Sequence, residues 1–409
     1  MTKILMLSAT FPYPPTRGGT QVRTFNLLKY LRDRHDVTLV TQKTADVTEA
    51  EIDGLREWVG ELKVFPRTTP SEATGGTWGK ISRFGRFLLE GTPPNVLALF
   101  SPPMGKWIEE AVESGQFDII TCEHSVNEIY LNPRWKTQVR TVVNIHSSVY
   151  ATCQQQLATQ TSDNSRRDRL QLPLLKRYER RYCQKFSVLV ATTPEDRDSL
   201  ARLSPGASIA VIPNGVDLEL FPPRQQDLGG EKLVFIGAMD NTPNIDAVCF
   251  LAREIFPRLR ALHPGVTLDL VGARPTAAVR ELDKIEGVNV TGKVPSMVKY
   301  LHQATACIVP MRTGFGIKNK TLEAMAAAVP VVGSDRGLEG LEVDGQNVPL
   351  RALRANTVEE YIQSISSLLT DSDLRQTLSR NGRQLIEENY TWERAGQKYE
   401  EILMARSKA

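Results

Sequence analysis

Short apolar runs alternate with amphipathic stretches along most of the chain. Each run has the length of a buried strand and is bounded by polar or turn-forming residues. Between the runs, apolar residues recur at helical spacing, as at Val22, Phe25, Leu28 and Leu31. This alternation predicts doubly wound parallel sheets. The strand-like runs are residues 4–7, 37–40, 119–122, 141–145, 188–191, 210–212, 233–236, 267–271, 288–290, 306–309 and 330–332.

A polar segment with two prolines and two glycines, residues 221–231, separates the runs into two series. We therefore predict two domains, residues 1–222 and residues 229–391. The stretch 357–404 has a largely helical pattern. No run is long and apolar enough to span a membrane.

Composition narrows the class of protein. The 409 residues carry a net charge of only +3, which argues against nucleic acid as a partner. The five cysteines are scattered and form no Cys-x-x-Cys pair, which argues against a disulfide framework or zinc ribbon and favours a reducing compartment. The N-terminal apolar run is too short for a signal peptide. A cytoplasmic location is the expectation from these features.

The segment 314–332 carries the strongest chemical signal, since it reads as a glycine loop, a helix and a strand. Gly314 and Gly316 allow backbone to approach a ligand closely. Asn319 is the predicted helix N-cap, so free N–H groups and a positive dipole end would face the loop. An anion is the expected ligand of such a helix start.

Charged side chains extend this interpretation. Lys318 and Lys320 suit phosphate groups, and Glu323, about one turn into the helix, suits the two hydroxyls of a ribose. The alternative is a plain strand–helix–strand crossover whose lysines are solvated, because single motifs are weak signals.

The segment resembles the donor-binding signature of the retaining glycosyltransferases of family 4, which have the GT-B fold, in its Gly-x-Gly-Ile-Lys-Asn-Lys-x-Leu-Glu form. The fold implied is α/β, with two Rossmann-like doubly wound domains facing a central cleft. An N-terminal domain would bind acceptor, a C-terminal domain would bind a nucleotide-sugar, and a C-terminal helix, residues 392–409, would pack back on the first domain. Further segments fit the family's pattern: 211–217, 235–240, 243–244, 271–272, 288–292 and 390–392.

The resemblance implies roles residue by residue. Glu323 would bind the ribose, while Lys318, Lys320 and Arg274 would meet the diphosphate. The full set of expected donor-binding residues is Gly18, Gly19, Gly237, Gly272, Arg274, Gly314, Gly316, Lys318, Asn319, Lys320, Thr321 and Glu323. Those expected at the reacting centre are His146, Lys320 and Glu323.

Two departures from the family's pattern concern charge. The common donor motif has two glutamates separated by seven residues, and Phe315 stands at the position of the first. Ala238 replaces a usual arginine, and Pro243-Asn244 replaces a usual lysine. The lysines of the glycine loop would then carry more of the phosphate charge.

Two segments of the N-terminal half are further candidates. Gly18 and Gly19 follow the first strand and open the first helix, which favours backbone N–H groups directed at an anion, although a flexible turn explains them too. His146 ends an apolar strand, where the family has a histidine near the donor sugar; a satisfied core histidine is the alternative. Glu123 and His124, at the end of the preceding strand, are equally open between an acceptor contact and a structural role.

Residues 166–185 contain eight basic residues on an amphipathic pattern. Peripheral contact with the inner face of an anionic membrane is one interpretation, and the solvated face of an ordinary helix is the other. No metal site is predicted, since the Asp-x-Asp triplets at 196–198 and 371–373 fall early in helical stretches.

The function predicted is transfer of a sugar, with retained anomeric configuration, from a nucleoside-diphosphate-sugar to a sugar-containing or lipid-linked acceptor in polysaccharide or glycoconjugate synthesis. No metal or other cofactor is expected. A sugar-nucleotide epimerase or hydrolase, and a binding protein without activity, stay open as alternatives on the same fold.

Overall fold

The protein is described from a computed structural model, which covers residues 1–15, 18–67, 87, 91–162 and 164–405. The chain forms two compact units. The first consists of Met1–Ile212 together with Ala395–Ala409, and the second consists of Pro213–Arg394. Within the described residues, no helix is long and apolar enough to cross a membrane.

In the described part of the first unit, seven parallel strands form one sheet in the order β3-β2-β1-β4-β5-β6-β7. The strands are β1 Lys3–Ser8, β2 Asp36–Lys43, β3 Glu61–Pro66, β4 Ile119–Cys122, β5 Arg140–Asn144, β6 Val188–Ala191 and β7 Ile209–Val211. The helices are α1 Gly19–Leu31, α2 Glu49–Arg56, α3 Pro94–Leu97, α4 Pro102–Glu113, α5 Val149–Ala158, α6 Ser165–Cys183 and α7 Pro194–Leu203, with 3₁₀ turns at Ser125–Tyr130 and Pro133–Thr137.

The second unit contains six described parallel strands in the order β10-β9-β8-β11-β12-β13. They are β8 Lys232–Ile236, β9 Thr267–Val271, β10 Val288–Gly292, β11 Ala306–Val309, β12 Val331–Gly333 and β13 Leu353–Arg354. The helices are α8 Thr242–Phe250, which continues through a π-helical turn Leu251–Ile255 into α9 Phe256–Leu262, then α10 Ala277–Arg280 with a 3₁₀ turn Glu281–Lys284, α11 Met297–Gln303, α12 Asn319–Ala326, α13 Val358–Thr370, α14 Ser372–Asn389 and α15 Trp392–Met404.

The first strands of both sheets are continuous apolar runs because parallel strands are covered on both faces. Ile4, Leu7, Leu233 and Ile236 have no exposed surface. The predicted doubly wound architecture is confirmed, and every predicted strand-like run overlaps a strand. In each sheet the strand order reverses next to the first strand of the unit, at β1/β4 and at β8/β11, and ligands bind at such switch points, outside the carboxyl ends of the strands.

The boundary between the units lies earlier than the predicted one. The first unit ends at Ile212 rather than at 222. Val216 bridges to Thr391, and Phe221 is buried in the apolar core of the second unit. Arg224 donates to the carbonyl of Ala304 at 2.9 Å. The proline- and glycine-rich segment therefore packs on the second unit instead of forming a linker.

The C-terminal helix α15 begins in the second unit, and its residues from Ala395 onward belong to the first. A side chain at Gly396 would collide with the ring of Tyr30, so glycine permits close approach to α1. His35 contacts Glu400 at 2.7 Å. Residues 406–409 of the predicted C-terminal segment lie outside the described residues.

Candidate active site

The switch point of the second unit brings two glycine-containing turns together. Gly237 follows β8 with φ of +152°, and the segment after β11 contains Gly314 and Gly316 with φ of +123° and +77°. Side chains rarely adopt these backbone angles, so glycine is required at all three positions. The ideal Cβ position of Gly237 lies 3.2 Å from Cε of Lys320, which places the two turns side by side.

Gly272 has a steric role in this arrangement. It follows β9, and a Cβ atom there would collide with the carbonyl oxygen of Gly237. The N–H of Gly237 donates to the carbonyl of Val271 at 3.0 Å. Gly272 therefore allows the backbone after β8 to approach the backbone after β9 at the sheet edge.

The helix α12 starts one residue earlier than predicted. Its first residue is Asn319 and its N-cap is Lys318, whereas the sequence predicts Asn319 as the N-cap. Asn319 therefore occupies the first helical position instead of the N-cap, and its Oδ1 accepts a hydrogen bond from Asn214 at 2.7 Å. Among the described residues no side chain caps this helix, and its first turn contains no acid. Its N-terminal amides and dipole thus favour an anionic ligand.

Lys320 lies in the first turn of α12 and is half-buried. Its Nζ donates to Oδ1 of Asn244 at 2.7 Å and lies 5.0 Å from the centre of the Phe235 ring. Burial, followed by the charge of Lys318, lowers the pKa of the Lys320 ammonium to about 8. An anion placed beside this ammonium would reverse part of that shift.

Glu323 lies one turn along α12 from Lys320. Burial raises the pKa of its carboxyl to about 7, and the nearby Lys320 ammonium opposes the rise. Thr321, between them, is buried, and its Oγ1 donates to the carbonyl of Gly337 at 2.7 Å. Lys320 and Glu323 are therefore the titratable pair of the helix start, while Thr321 anchors the helix to the backbone behind it.

The amine of Lys318 is turned into the protein. The residue is 8% exposed, and Nζ donates to the carbonyl of Gly316 and lies 3.2 Å from Oε2 of Glu339. Its Cε lies 3.4 Å from the ideal Cβ position of Gly314. This placement gives no support to the phosphate contact that the sequence predicts for Lys318.

Arg274 follows β9 and is exposed, with φ of +55°. Its Nε donates to Oδ2 of Asp240 at 2.5 Å. The hydrogen bonds from Arg274 hold the pKa of Asp240 below its usual range. The guanidinium is thus engaged with a side chain of the neighbouring turn, although exposed pairs of this kind contribute little free energy.

In the first unit, the predicted glycine turn opens α1. The helix begins at Gly19 with Gly18 as its N-cap, and within the described residues no side chain caps it. Gly18 has extended backbone, with φ of 177°. Residues 16 and 17, directly before Gly18, lie outside the described residues. The helix start has the uncapped amides that an anion requires.

His146 follows β5 and lies beside His124, which follows β4; their ring centres are 5.4 Å apart. His124 has φ of +137°, and its Nε2 lies 3.2 Å from Oγ of Ser147. Burial lowers the pKa of His124 to about 4, and burial with the neighbouring charges lowers the pKa of His146 well below its usual value. Nε2 of His146 is buried, and no described residue gives it a hydrogen-bond partner. A neutral imidazole with an unsatisfied nitrogen suits contact with a polar ligand.

A buried polar network under these histidines does not stand out in the sequence. Arg23 donates through Nη2 to Oδ1 of Asn144 at 2.9 Å, and Nδ2 of Asn144 donates to Glu123 at 3.0 Å and to Tyr399 at 2.9 Å. The four residues come from α1, β5, the end of β4 and α15. Glu123 and Asn144 lie at the carboxyl ends of β4 and β5, whereas Arg23 and Tyr399 lie too far from them along the chain for spacing to reveal the network.

Two family sequence models match the chain. Residues 17–220 match one described as Glycosyltransferase Family 4, and residues 230–371 match one described as Glycosyl transferases group 1. Similar proteins include a glycogen synthase of Mycobacterium tuberculosis, 29% identical over 229 residues, which are 50% of this chain and 51% of the relative. The chain thus aligns with about half the length of this curated relative.

Solved structures share the fold over almost the whole chain. Sucrose-phosphate synthase from Thermosynechococcus elongatus superposes with a TM-score of 0.68 at 19% identity, covering 98% of each chain. HepE from Anabaena, in complex with UDP and glucose, superposes with a TM-score of 0.64 at 15% identity, covering 99% of this chain and all of the other.

Proposed function

Because the chain belongs to the glycosyltransferases of the GT-B fold, we propose that it transfers a sugar from a nucleoside-diphosphate-sugar to a sugar-containing or lipid-linked acceptor with retention of anomeric configuration. The observation that carries the proposal is the start of α12 at the switch point of the second unit. There an uncapped helix end carries Lys320 and Glu323, and the side chain of Lys320 lies against Gly237.

In the proposed donor site, two charged side chains bind different parts of the ligand. The Lys320 ammonium and the free amides of α12 stabilise the diphosphate, including the negative charge that develops on the leaving β-phosphate. The Glu323 carboxylate accepts hydrogen bonds from the ribose hydroxyls. Arg274 is included in the phosphate site because its exposed pair with Asp240 is readily exchanged for a stronger anion.

Lys320 also accounts for a departure from the family's pattern. Asn244, in the Pro243-Asn244 pair that replaces a usual lysine, accepts a hydrogen bond from Lys320. The cation is thus supplied from α12 and held by the residue that replaces the usual one. In the first unit, the uncapped amides at Gly18 and Gly19 are proposed to bind an anionic group of a substrate, and His146 is proposed to bond a substrate hydroxyl through Nε2.

The first test is a thermal-shift screen with UDP, GDP, ADP and dTDP and their sugars. A ligand at about 100 times its Kd stabilises the fold by about 2.7 kcal/mol, which raises Tm by roughly 5–10 °C. Glu323→Gln and Lys320→Met should each weaken donor binding and so reduce the shift, whereas Lys299→Met, at an exposed lysine of the same unit, should leave it unchanged. Equal shifts in all four proteins would refute the proposed site.

The second test separates transfer from its rivals. The selected donor is incubated with and without a glycan acceptor, and NMR records the anomeric configuration of the first product. Rapid turnover without acceptor would identify a hydrolase or epimerase, and an inverted product would contradict retention. Binding without turnover in any mixture would favour a binding protein.

We also propose peripheral contact of α6 with an anionic membrane. Within Ser165–Cys183, all of which the structure describes, both acids, Asp168 and Glu179, are buried, and Leu170 is 70% exposed. Every exposed charge of this helix is therefore positive. The exposed cations are Arg166, Arg167, Arg169, Lys176, Arg177, Arg180 and Arg181.

Each basic residue near an anionic bilayer contributes about 1 kcal/mol, so the triple change Arg166→Gln, Arg169→Gln and Lys176→Gln should weaken binding roughly a hundredfold. Co-sedimentation with phosphatidylglycerol vesicles measures this, with phosphatidylcholine vesicles as reference. The matched control removes three exposed cations elsewhere in the unit, Lys106, Arg197 and Arg202. Equal binding by both triple variants would refute the contact.

A further inference from the structure

The glycine loop of the second unit, residues 310–318 between β11 and α12, packs against the segment that follows β12. Three contacts join the two. Oγ of Ser334 donates to the carbonyl of Met311 at 2.5 Å, Oγ1 of Thr321 donates to the carbonyl of Gly337 at 2.7 Å, and Lys318 pairs with Glu339. Between β11 and α12, these contacts reach from Met311 to Lys318, and Thr321 adds a contact in the first turn of α12.

The third contact is the one made by charged groups. Glu339 is 6% exposed and receives Lys318 on Oε2 and Arg336 on Oε1. The same Lys318 ammonium donates to the carbonyl of Gly316. A buried carboxylate with two cationic partners is held in a single geometry, and so is the ammonium that bridges it to the loop.

The stem of Lys318 also limits the loop from within. Its Cε lies 3.4 Å from the ideal Cβ position of Gly314, so the lysine runs across the glycine that begins the turn. Glycine has more conformational freedom than other residues, and a loop with two such positions loses that freedom only if its surroundings hold it.

We infer that Lys318 is a positioning residue, which fixes the Gly314–Gly316 backbone through Glu339 instead of contacting the phosphates. The inference deepens the proposed function, because the backbone it fixes is part of the proposed donor site. Glu339 then belongs to the donor site's supporting structure, although it lies beyond the helix that carries Lys320 and Glu323. Loss of either partner should leave the loop mobile and increase the donor KM more than it lowers kcat.

The test compares Lys318→Met, Glu339→Gln and the double variant. Each single change should raise the donor KM roughly 10- to 100-fold, since a small misplacement of a binding group has effects of that size, with kcat near that of the parent. The double variant should be no worse than the more damaged single variant, because both changes release the same contact. If Glu339→Gln has the parent KM, or if the two effects multiply, Lys318 acts on the ligand directly and the inference is wrong.

A second measurement does not depend on the enzyme's reaction. Amide hydrogen exchange in the nucleotide-free protein should be accelerated roughly tenfold in residues 314–318 of both single variants and unchanged in Lys299→Met. Unchanged exchange would overturn the inference even if the protein transfers sugar. Accelerated exchange in a protein that binds no nucleotide would support the role of Lys318 and Glu339 in fixing the Gly314–Gly316 backbone, but it would refute the proposed function. If Glu339→Gln does not fold, Glu339→Asp, which shortens the carboxylate's reach, replaces it with the same expected result.

Discussion

The phenolic hydroxyl of Tyr399 donates a hydrogen bond of 2.8 Å to Oε1 of Glu123, although 276 residues separate the two along the chain. Glu123 has no exposed surface, and burial raises the pKa of its carboxyl, while the hydrogen bond from Tyr399 is the largest effect opposing that rise. The last helix thus stabilises a buried carboxylate directly before His124, at the carboxyl end of β4.

Tyr399→Phe should lower the free energy of unfolding by about 1–3 kcal/mol, because a buried carboxylate loses a donor. The loss should be larger at pH 8 than at pH 5. Because the folded-state pKa of Glu123 is raised, the free energy of unfolding declines as pH rises towards that pKa. Removing the Tyr399 hydroxyl raises the pKa of Glu123 further, so the variant loses more stability at the higher pH. Urea unfolding at both pH values measures the effect. Tyr30→Phe, whose hydroxyl donates a longer bond of 3.3 Å to Glu400, is the matched control and should cost less.

Donor affinity should have a bell-shaped dependence on pH, with its maximum between the pKa of Glu323, about 7, and that of Lys320, about 8. Below the first value the carboxyl is protonated and accepts ribose hydroxyl bonds poorly; above the second the amine is neutral and binds phosphate poorly. Calorimetry from pH 5.5 to 9 with an intact nucleotide-sugar checks this, since its diphosphate does not titrate in that range. In Glu323→Gln the decrease in affinity at low pH should disappear, while the decrease at high pH should remain. An affinity of the parent that does not change with pH would contradict the assignment.

The same two groups should affect the stability of the nucleotide-free protein. The folded-state pKa of Glu323 exceeds its usual 4.5, so unfolding free energy should fall between about pH 4.5 and 7. The folded-state pKa of Lys320 lies below its usual 10.5, so stability should rise again between about pH 8 and 10.5. The unfolding temperature should therefore pass through a minimum near pH 7–8, and this minimum should be shallower in Glu323→Gln than in the parent.

Gly272→Ala should destabilise the second unit by about 1–3 kcal/mol and abolish nucleotide binding, because the new methyl group collides with the carbonyl of Gly237. Gly292→Ala is the control: it has φ of +67° and nothing within 4 Å of the new Cβ. It should also lower stability, by about 1–2 kcal/mol through backbone strain, while preserving nucleotide binding. Thermal unfolding with and without nucleotide separates the two effects.

His124 and His146 should both stay neutral from pH 8 down to at least pH 5.5, because burial lowers the pKa of each. NMR of the ring nitrogens should show no protonation in the folded protein, whereas both rings should titrate near pH 6.5 in urea. The depressed pKa values also mean that the folded state loses stability as pH falls below about 6.5. Protonation of His146 near pH 6.5 in the folded protein would contradict the burial argument.

Apolar periodicity was enough to predict the two sheets because their central strands are covered on both faces. It missed β3 and β13. Both are edge strands: Glu61–Pro66 has no fully buried residue, and Leu353–Arg354 is only two residues long. Position at an edge is not sufficient to hide a strand, since the edge strands β7 and β10 overlap predicted runs. In β3 the charged Lys63 interrupts the apolar residues, and β13 is too short to form a run.

Gly314, Gly316, Lys320 and Glu323 could be proposed from the sequence because they occur in one continuous segment. The sequence did not predict Asn244 or Glu339, since their roles depend on contacts made across the fold. For Lys318, residue type indicated a phosphate contact, but the direction of the side chain depends on Glu339, which lies 21 residues downstream. Spacing identifies which residues share a helix start, and tertiary packing determines where their side chains point.

The discontinuous first unit has a consequence for synthesis of the chain. Its α1 and β4 lack Gly396, Tyr399 and Glu400 until the final helix has been translated, by which time the second unit is complete. The sheet that is synthesised first therefore acquires its last buried contacts after the sheet that is synthesised second. A frameshift or premature stop near residue 395 would leave the second unit intact and expose the apolar side of α1, which makes the N-terminal half the part that quality control would detect.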